Sequence, residues 1–399
     1  MSARPEGPGP AAAGGGGALR VGLGEAAGAV ADLGVLVPLA AALILVNGLD
    51  PGAVFVCAGL TVLGSGLFFR VPFPVQPLKA LTAVAVASLA SPEVIHAAGI
   101  ELGLLLLLLS LRHVADAVAR LFTKPVVRAL QLGVGVLLVL AAARLALRPP
   151  EVFRGVPPSP WPFALMLATG AGVALAAHRR RYGGALALLG AGLLTTLLAA
   201  RPDLGGPAPA LPSPSLPDAG AFARAFLFLV VPQLPLTFGN AVVAVSDLAR
   251  EEFGPRARRV TPSNVCRSAG VANVLSGVLG GMPMCHGAGG LTAHVRLGAR
   301  TAGMNVLLGG ALLALGALFP RHVLALLGLL PVWGLAGFLA YAGIRHALLV
   351  RDLRGSALAV AVVAGALGAW LGNLAVTAGL ALLAVHGAGL RRLAAPRSR

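Results

Sequence analysis

The segment Val71-Pro72-Phe73-Pro74-Val75-Gln76-Pro77-Leu78-Lys79 decides the reading of this chain. Its three prolines withdraw backbone donors and fix φ, so no helix runs through them. An apolar stretch follows to about residue 90. The segment therefore predicts extended backbone feeding a helix that begins at Pro77, a residue suited to a first helical position, and ends near Ser88. A second stretch, Gly281-Met282-Pro283-Met284-Cys285-His286-Gly287-Ala288-Gly289-Gly290, predicts the same device, with a helix starting near Gly287 and leaving at Arg296.

The rest of the chain sets these breaks in a membrane. Its 399 residues are 57% hydrophobic and 11% charged, with a mean hydropathy of +0.87, far from a soluble domain. Leu, Ala, Val and Gly dominate, which fits closely packed transmembrane helices and not the alternating strands of an outer-membrane barrel. The expected class is an all-α polytopic membrane protein surrounded by the lipid bilayer. The net charge of +17 lies between apolar runs, without interleaved aromatics, so it indicates topology and no nucleic-acid partner. Cys57, Cys266 and Cys285 are scattered and form neither a disulfide framework nor a metal motif.

Apolar runs of spanning length recur through the chain and predict about fourteen transmembrane segments. Residues 1–20 read as a disordered cytoplasmic tail, 21–200 as spans 1–7, 201–220 as a Pro-rich linker, 221–390 as spans 8–14 and 391–399 as a second cytoplasmic tail. Residues 112–128 read as an interfacial amphipathic helix. Lys and Arg concentrate on the side that holds both termini, which predicts that side to be cytoplasmic. Seven spans in each half force opposite orientations, the arrangement of a 7+7 inverted repeat, and such a repeat predicts matching broken helices, here in spans 3 and 10.

Two half-helices entering from opposite sides bring two positive dipole ends together near mid-membrane, where glycines let backbone approach a ligand. Irregular backbone is tolerated at that depth only where it is buried in protein or lines a cavity. The arrangement predicts an anion site on a transport path.

These segments, with Ala31-Asp32-Leu33-Gly34 and Pro232-Gln233-Leu234-Pro235-Leu236-Thr237-Phe238-Gly239-Asn240-Ala241, resemble the molybdate transporter family, a branch of the sulfate-permease superfamily. The resemblance spans about residues 25–345. It implies the inverted-repeat fold shared with uracil permease, divided into core and gate domains, with molybdate as substrate. The superfamily's cytoplasmic C-terminal domain has no counterpart here, which favours the molybdate branch. Related permeases often carry an acidic residue in span 8, where this chain has Gln233 and Asn240.

Candidate binding residues are Gln76, Pro77, Lys79, Asn240, Cys285, His286, Gly287, Ala288 and Gly289. Lys79 is a counter-charge to an oxyanion or a structural partner of Asp32, and the two roles are compatible. Asp32 is also a candidate for coupling. Gln76 and Asn240 offer amide donors to tetrahedral oxygens or bond to neighbouring helices. His286 can donate to the anion, whereas Cys285 is equally suited to packing. Adjacent Cys285 and His286 cannot point at each other as a catalytic pair, and adding His294 leaves too few ligands for zinc. No catalytic residue, metal or cofactor is assigned. Asp247, Arg250, Glu251 and Glu252 read as a solvated ion-pair network.

The expected function is secondary transport of molybdate by alternating access. A sulfate or other oxyanion carrier is the nearest alternative, and a non-transporting membrane sensor is another. A cell or inner membrane is the expected location. The oligomeric state is open, with a homodimer compatible.

Overall fold

The computed structural model describes residues 19–111, 114–149, 162–179, 206–371 and 374–394, with isolated positions between 187 and 198. The expected seventh span, most of the N-terminal tail and the last five residues lie outside the described residues. So do the first positions of the Pro-rich linker.

The chain is mostly helical. The first half contains α1 (Leu23–Val30), α2 (Leu33–Leu45), α3 (Pro51–Phe69), β1 (Gln76–Pro77), α4 (Lys79–Ala87), α5 (Pro92–Ser110), α6 (Val114–Ala119), α7 (Lys124–Leu147) and α8 (Pro162–His178). The second half begins with α9, a continuous helical run over residues 219–253 interrupted by wide π turns at Phe226–Val230 and Thr237–Ala244. It continues through α10 (Pro262–Val278), β2 (Met284–Cys285), α11 (Ala288–Arg296), α12 (Gly303–Leu318), α13 (Val323–Gly328), α14 (Val332–Ala347), α15 (Gly355–Trp370) and α16 (Leu374–Ala394).

Among the described residues, five helical stretches are long and apolar enough to cross a membrane: Leu23–Leu45, Pro51–Phe69, Pro92–Ser110, Lys124–Leu147 and Val332–Asp352. A sixth is the pair Gly303–Leu318 and Pro320–Leu326, bent by 101°. Helix starts follow local chemistry: Asp50 accepts from Ala53 N–H at 2.7 Å and Asp218 from Ala221 N–H at 2.7 Å, each satisfying a first-turn donor.

Helices pair through small residues. α3 packs on α12, α5 on α10, and α7 on both α14 and α15. A Cβ at Gly59 would lie 2.6 Å from Leu313 N, and one at Gly135 would lie 2.6 Å from Gly343 O, so both crossings depend on glycine.

Three sequence expectations are corrected. The helix after the first proline cluster starts at Lys79 and not at Pro77. Pro77 instead pairs in extended form with Met284, and Leu78 N–H donates to Pro283 O at 3.1 Å. The amphipathic stretch 112–128 is no single helix: α6 ends at Ala119, and Lys124-Pro125 opens α7, because proline is tolerated in a first turn but not mid-helix. Residues 323–343, an apolar run of spanning length expected to cross as one segment, do not form one span, since α13 ends at Gly328 and α14 starts after Pro331. Residues 206–218 lie against helix ends, with Ala208 and Ala210 N–H donating to Leu318 and Ala317 O at 3.0 Å and Ser215 N–H to Val278 O at 2.9 Å.

Candidate functional site

The two proline-broken segments meet. β1 and β2 pair antiparallel, with Gln76 opposite Cys285 and Pro77 opposite Met284. This contact sets the N-termini of α4 and α11 beside each other. Each helix has nine residues and so covers about 14 Å, roughly half the hydrocarbon thickness.

Two asparagines hold the extended segments where a helix ladder cannot. Asn305 of α12 donates through Nδ2 to Phe73 O at 2.6 Å and accepts Phe73 N–H at 2.9 Å. Asn273 of α10 donates to Met284 O and accepts Met284 N–H, both at 2.8 Å. Each replaces backbone partners that a buried strand would otherwise lack.

A polar chain runs from the α1–α2 break to the helix ends. Asp32, fully buried, accepts from Gln76 Nε2 at 2.6 Å and from Val75 N–H at 3.3 Å. Gln76 Oε1 in turn accepts from Lys79 Nζ at 2.9 Å. Lys79 therefore reaches Asp32 through Gln76, and the expected Lys79–Asp32 pair is indirect. Gln76 is buried while Lys79 retains accessible surface.

His294 completes the cluster. Its Nδ1 lies 2.8 Å from Gly28 O and its Nε2 lies 3.0 Å from Asp32 Oδ2. A carbonyl only accepts, so Nδ1 carries hydrogen, and a second proton is shared across the Nε2–carboxylate contact. The pair thus holds one proton more than a neutral imidazole beside an ionised carboxylate.

Glycines shape the opposite wall. A Cβ at Gly287 would lie 2.9 Å from Gln76 Oε1 and 3.9 Å from Lys79 Nζ. At Gly290 it would lie 2.7 Å from Gln76 Nε2 and 2.9 Å from Asp32 Oδ1. A side chain at either position would clash with Gln76, so only glycine lets the start of α11 approach this close.

The remaining candidates divide. Cys285 is buried on β2 opposite Gln76, and Asn240 is buried in the second π turn of α9, its Oδ1 without a partner among the described residues. His286 is turned elsewhere: Nδ1 lies 3.0 Å from Pro74 O, Nε2 lies 3.1 Å from Ser268 Oγ, and the ring stacks edge-on against Phe73. Gln233 caps α4, accepting Leu81 N–H at 2.8 Å and donating to Thr237 Oγ1 at 2.9 Å. A cavity of about 330 Å³ between α3 and α10 lies behind His286, lined by Thr61, Phe68, Arg267 and Ser268 among others, away from the helix ends.

The charges at the end of α9 are only partly a solvated network. Arg128 of α7, buried, bonds Glu251 at 3.0 Å and Asp352 at 2.7 Å, and Arg296 lies 3.7 Å from Glu252. Sequence reading missed Arg128, His294 and the two clamping asparagines. A polar or ionisable residue inside an apolar run was the available signal.

Comparison with known proteins places this chain in a family. A family model described as "Molybdate transporter of MFS superfamily" matches residues 24–138 and 225–346, which include both broken segments. Molybdate transporter 1 of Arabidopsis thaliana is 30% identical over 374 residues, covering 83% of this chain and 80% of that protein. Molybdate transporter 2 of the same plant is 29% identical over 373 residues, covering 82% and 79%. Molybdate transporter 1 of Chlamydomonas reinhardtii is 31% identical over 445 residues, covering 83% and 84%. Among solved structures, the transmembrane domain of the cyanobacterial bicarbonate transporter BicA aligns with a TM-score of 0.57 at 18% identity, covering 90% of this chain and 96% of that one. SLC26A9 aligns with a TM-score of 0.59 at 12% identity, covering 94% and 66%. At these identities the two structures share the fold alone. The chain belongs to the molybdate transporter family and is an integral, multi-pass membrane transporter, not an enzyme.

Proposed function

We propose that this protein is a secondary transporter that carries molybdate by alternating access, with the oxyanion bound between the N-termini of α4 and α11. The observation that carries this reading is the meeting of both helix ends beside an accessible lysine. Each helix end is equivalent to roughly half a positive charge, so with Lys79 the site offers about two positive charges to a dianion. Lys79, the Gln76 amide and the backbone of Cys285, His286, Gly287, Ala288 and Gly289 supply donors. Pro77 fixes the entry to α4, Asn240 borders the site, and the Asp32–His294 pair serves coupling. The His286 side chain supports the extended segment and leaves its backbone to the anion.

The helix pairings support a 7+7 inverted repeat. Taking α3, β1–α4, α5, α7 and α8 as spans 2 to 6, and α10, β2–α11, α12, α14 and α15 as spans 9 to 13, exchange of the halves turns α3–α12 into α10–α5. It also turns α8–α14 into α15–α7, and maps α7–α14 and β1–β2 onto themselves. All of these pairs are in contact. In this reading spans 1–4 and 8–11 form a core that carries the site, and spans 5–7 and 12–14 form a gate. Residues 21–200 and 221–390 are the repeats, 201–220 the linker, and both termini are cytoplasmic in a cell or inner membrane.

Molybdate uptake into depleted cells expressing the chain, with sulfate as competitor, tests the proposal. Uptake that excess sulfate leaves intact supports it. No uptake by correctly inserted protein contradicts it, and equal competition points to a general oxyanion carrier.

A further inference from the structure

His346, near the end of α14, faces the same helix start from the opposite side. It is fully buried. Its Nδ1 lies 2.9 Å from Thr292 Oγ1, and the Thr292 hydroxyl also lies 3.2 Å from Ala288 O, the i−4 carbonyl. In the tautomer with the hydroxyl donating to that carbonyl, Nδ1 carries hydrogen and only the state of Nε2 is open. Nε2 is buried without a hydrogen-bond partner among the described residues, which leaves it available to a ligand. The ring edge bearing Nε2 faces the first turn of α11, since a Cβ at Gly289 would lie 3.8 Å from His346 Cδ2.

The charges around His346 are well defined. α14 packs on α7, α8, α11, α2 and the turn Leu348–Asp352. Lys79 and Arg128 are the two cations whose fields reach the ring. On the neighbouring elements, His294 is engaged by Gly28 and Asp32, Arg296 by Glu252, and Asp352 by Arg128 and Lys124. Arg144, His178 and Arg351 are exposed, and Arg345 on α14 itself is partly buried. With the site empty, an imidazolium would be a third cation beside Lys79 and Arg128. A bound dianion supplies its counter-charge.

We propose that His346 is an anion ligand that takes up a proton as the oxyanion binds. Nε2 accepts a proton released by the buffer acid in solution, which becomes its conjugate base, and donates the new N–H to an anion oxygen held at the first turn of α11. The inference rests on the anion site proposed above and adds to it a co-bound proton and a ligand from α14. Bound anion would then bridge α14 to α4 and α11, drawing the two sides of the site together.

Calorimetry on the full chain in detergent, titrated with sodium molybdate in buffers of different ionisation enthalpy, counts the protons taken up. Because binding takes up a proton, lower pH strengthens it. Wild-type Kd should fall by up to about tenfold for each unit of acidification across roughly pH 8 to 6. His346→Gln keeps an amide donor in place of Nε2 and should bind within about tenfold of wild type, with no proton uptake and a flat pH profile. Retention of the wild-type proton count in His346→Gln overturns the proposal and assigns the proton to another group. If that variant does not fold, the wild type decides, since a flat profile also overturns it. Wild-type binding without proton uptake refutes only this inference, whereas absence of molybdate binding refutes the anion site as well.

Discussion

Replacing Lys79 by alanine removes the ammonium beside the start of α11. The ammonium lies 3.9 Å from where a Cβ on Gly287 would sit, so an anion oxygen at the start of α11 falls within its contact range. Two unit charges about 4 Å apart attract by roughly 4 kcal/mol at an effective dielectric constant near 20. Part of that is spent on desolvating the lysine, and water replaces part of it in the variant, leaving about 2–3 kcal/mol. That corresponds to a 30- to 150-fold weaker Kd for molybdate. The substitution also frees Gln76 Oε1, which loses its 2.9 Å donor, but Gln76 keeps its bond to Asp32 and the fold should persist. Calorimetric titration of the purified variant gives the number, and its elution from size exclusion checks folding. A well-folded Lys79→Ala protein with Kd within threefold of wild type would refute the electrostatic reasoning.

Other substitutions test the frame around the site. Gly290→Ala places a methyl 2.7 Å from Gln76 Nε2 and 2.8 Å from Pro74 Cβ, and should destabilise the protein by about 1–3 kcal/mol while cutting uptake, read by thermal melting and transport assay. Asn305→Ala strips Phe73 of partners for both its N–H and its C=O. It should cost about 2–4 kcal/mol, lowering the melting temperature and uptake together, and Asn305→Asp should lose at least as much, because it sets a buried carboxylate oxygen against the Phe73 and Val62 carbonyls. Arg128→Met leaves Glu251 and Asp352 without their buried partner. Both carboxylates are partly solvated, which limits the loss to about 1–2 kcal/mol, and melting in low salt should show it more than melting in high salt.

The parts of the structure readable in sequence were those with local causes. Pro72, Pro74 and Pro77 forbid helix wherever the chain goes, and Pro283 does the same in the second half, so both extended segments were visible. The glycines after His286 marked the close approach. Pro77 was misread because its choice between a first helical position and a strand depends on β2, more than 200 residues away. The same holds for partners: Asp32 joins His294 across 262 residues, and Asn305 holds Phe73 across 232. No local pattern encodes such pairings. Glu251 is exposed, as its polar segment implies, but its partner Arg128 comes from another helix. His346 follows Arg345 at the end of an apolar run, and nothing local to it shows that Gly289 and Thr292 lie against its ring.

Diffraction at the molybdenum absorption edge, from crystals of the protein grown with molybdate, tests the central claim most directly. The account predicts one anomalous peak between the starts of α4 and α11, within about 5 Å of Lys79 Nζ and of the Gly287–Gly289 backbone, as donor-to-oxygen contacts to a tetrahedral anion require. A peak in the cavity between α3 and α10, or anywhere else away from those two helix ends, would contradict it.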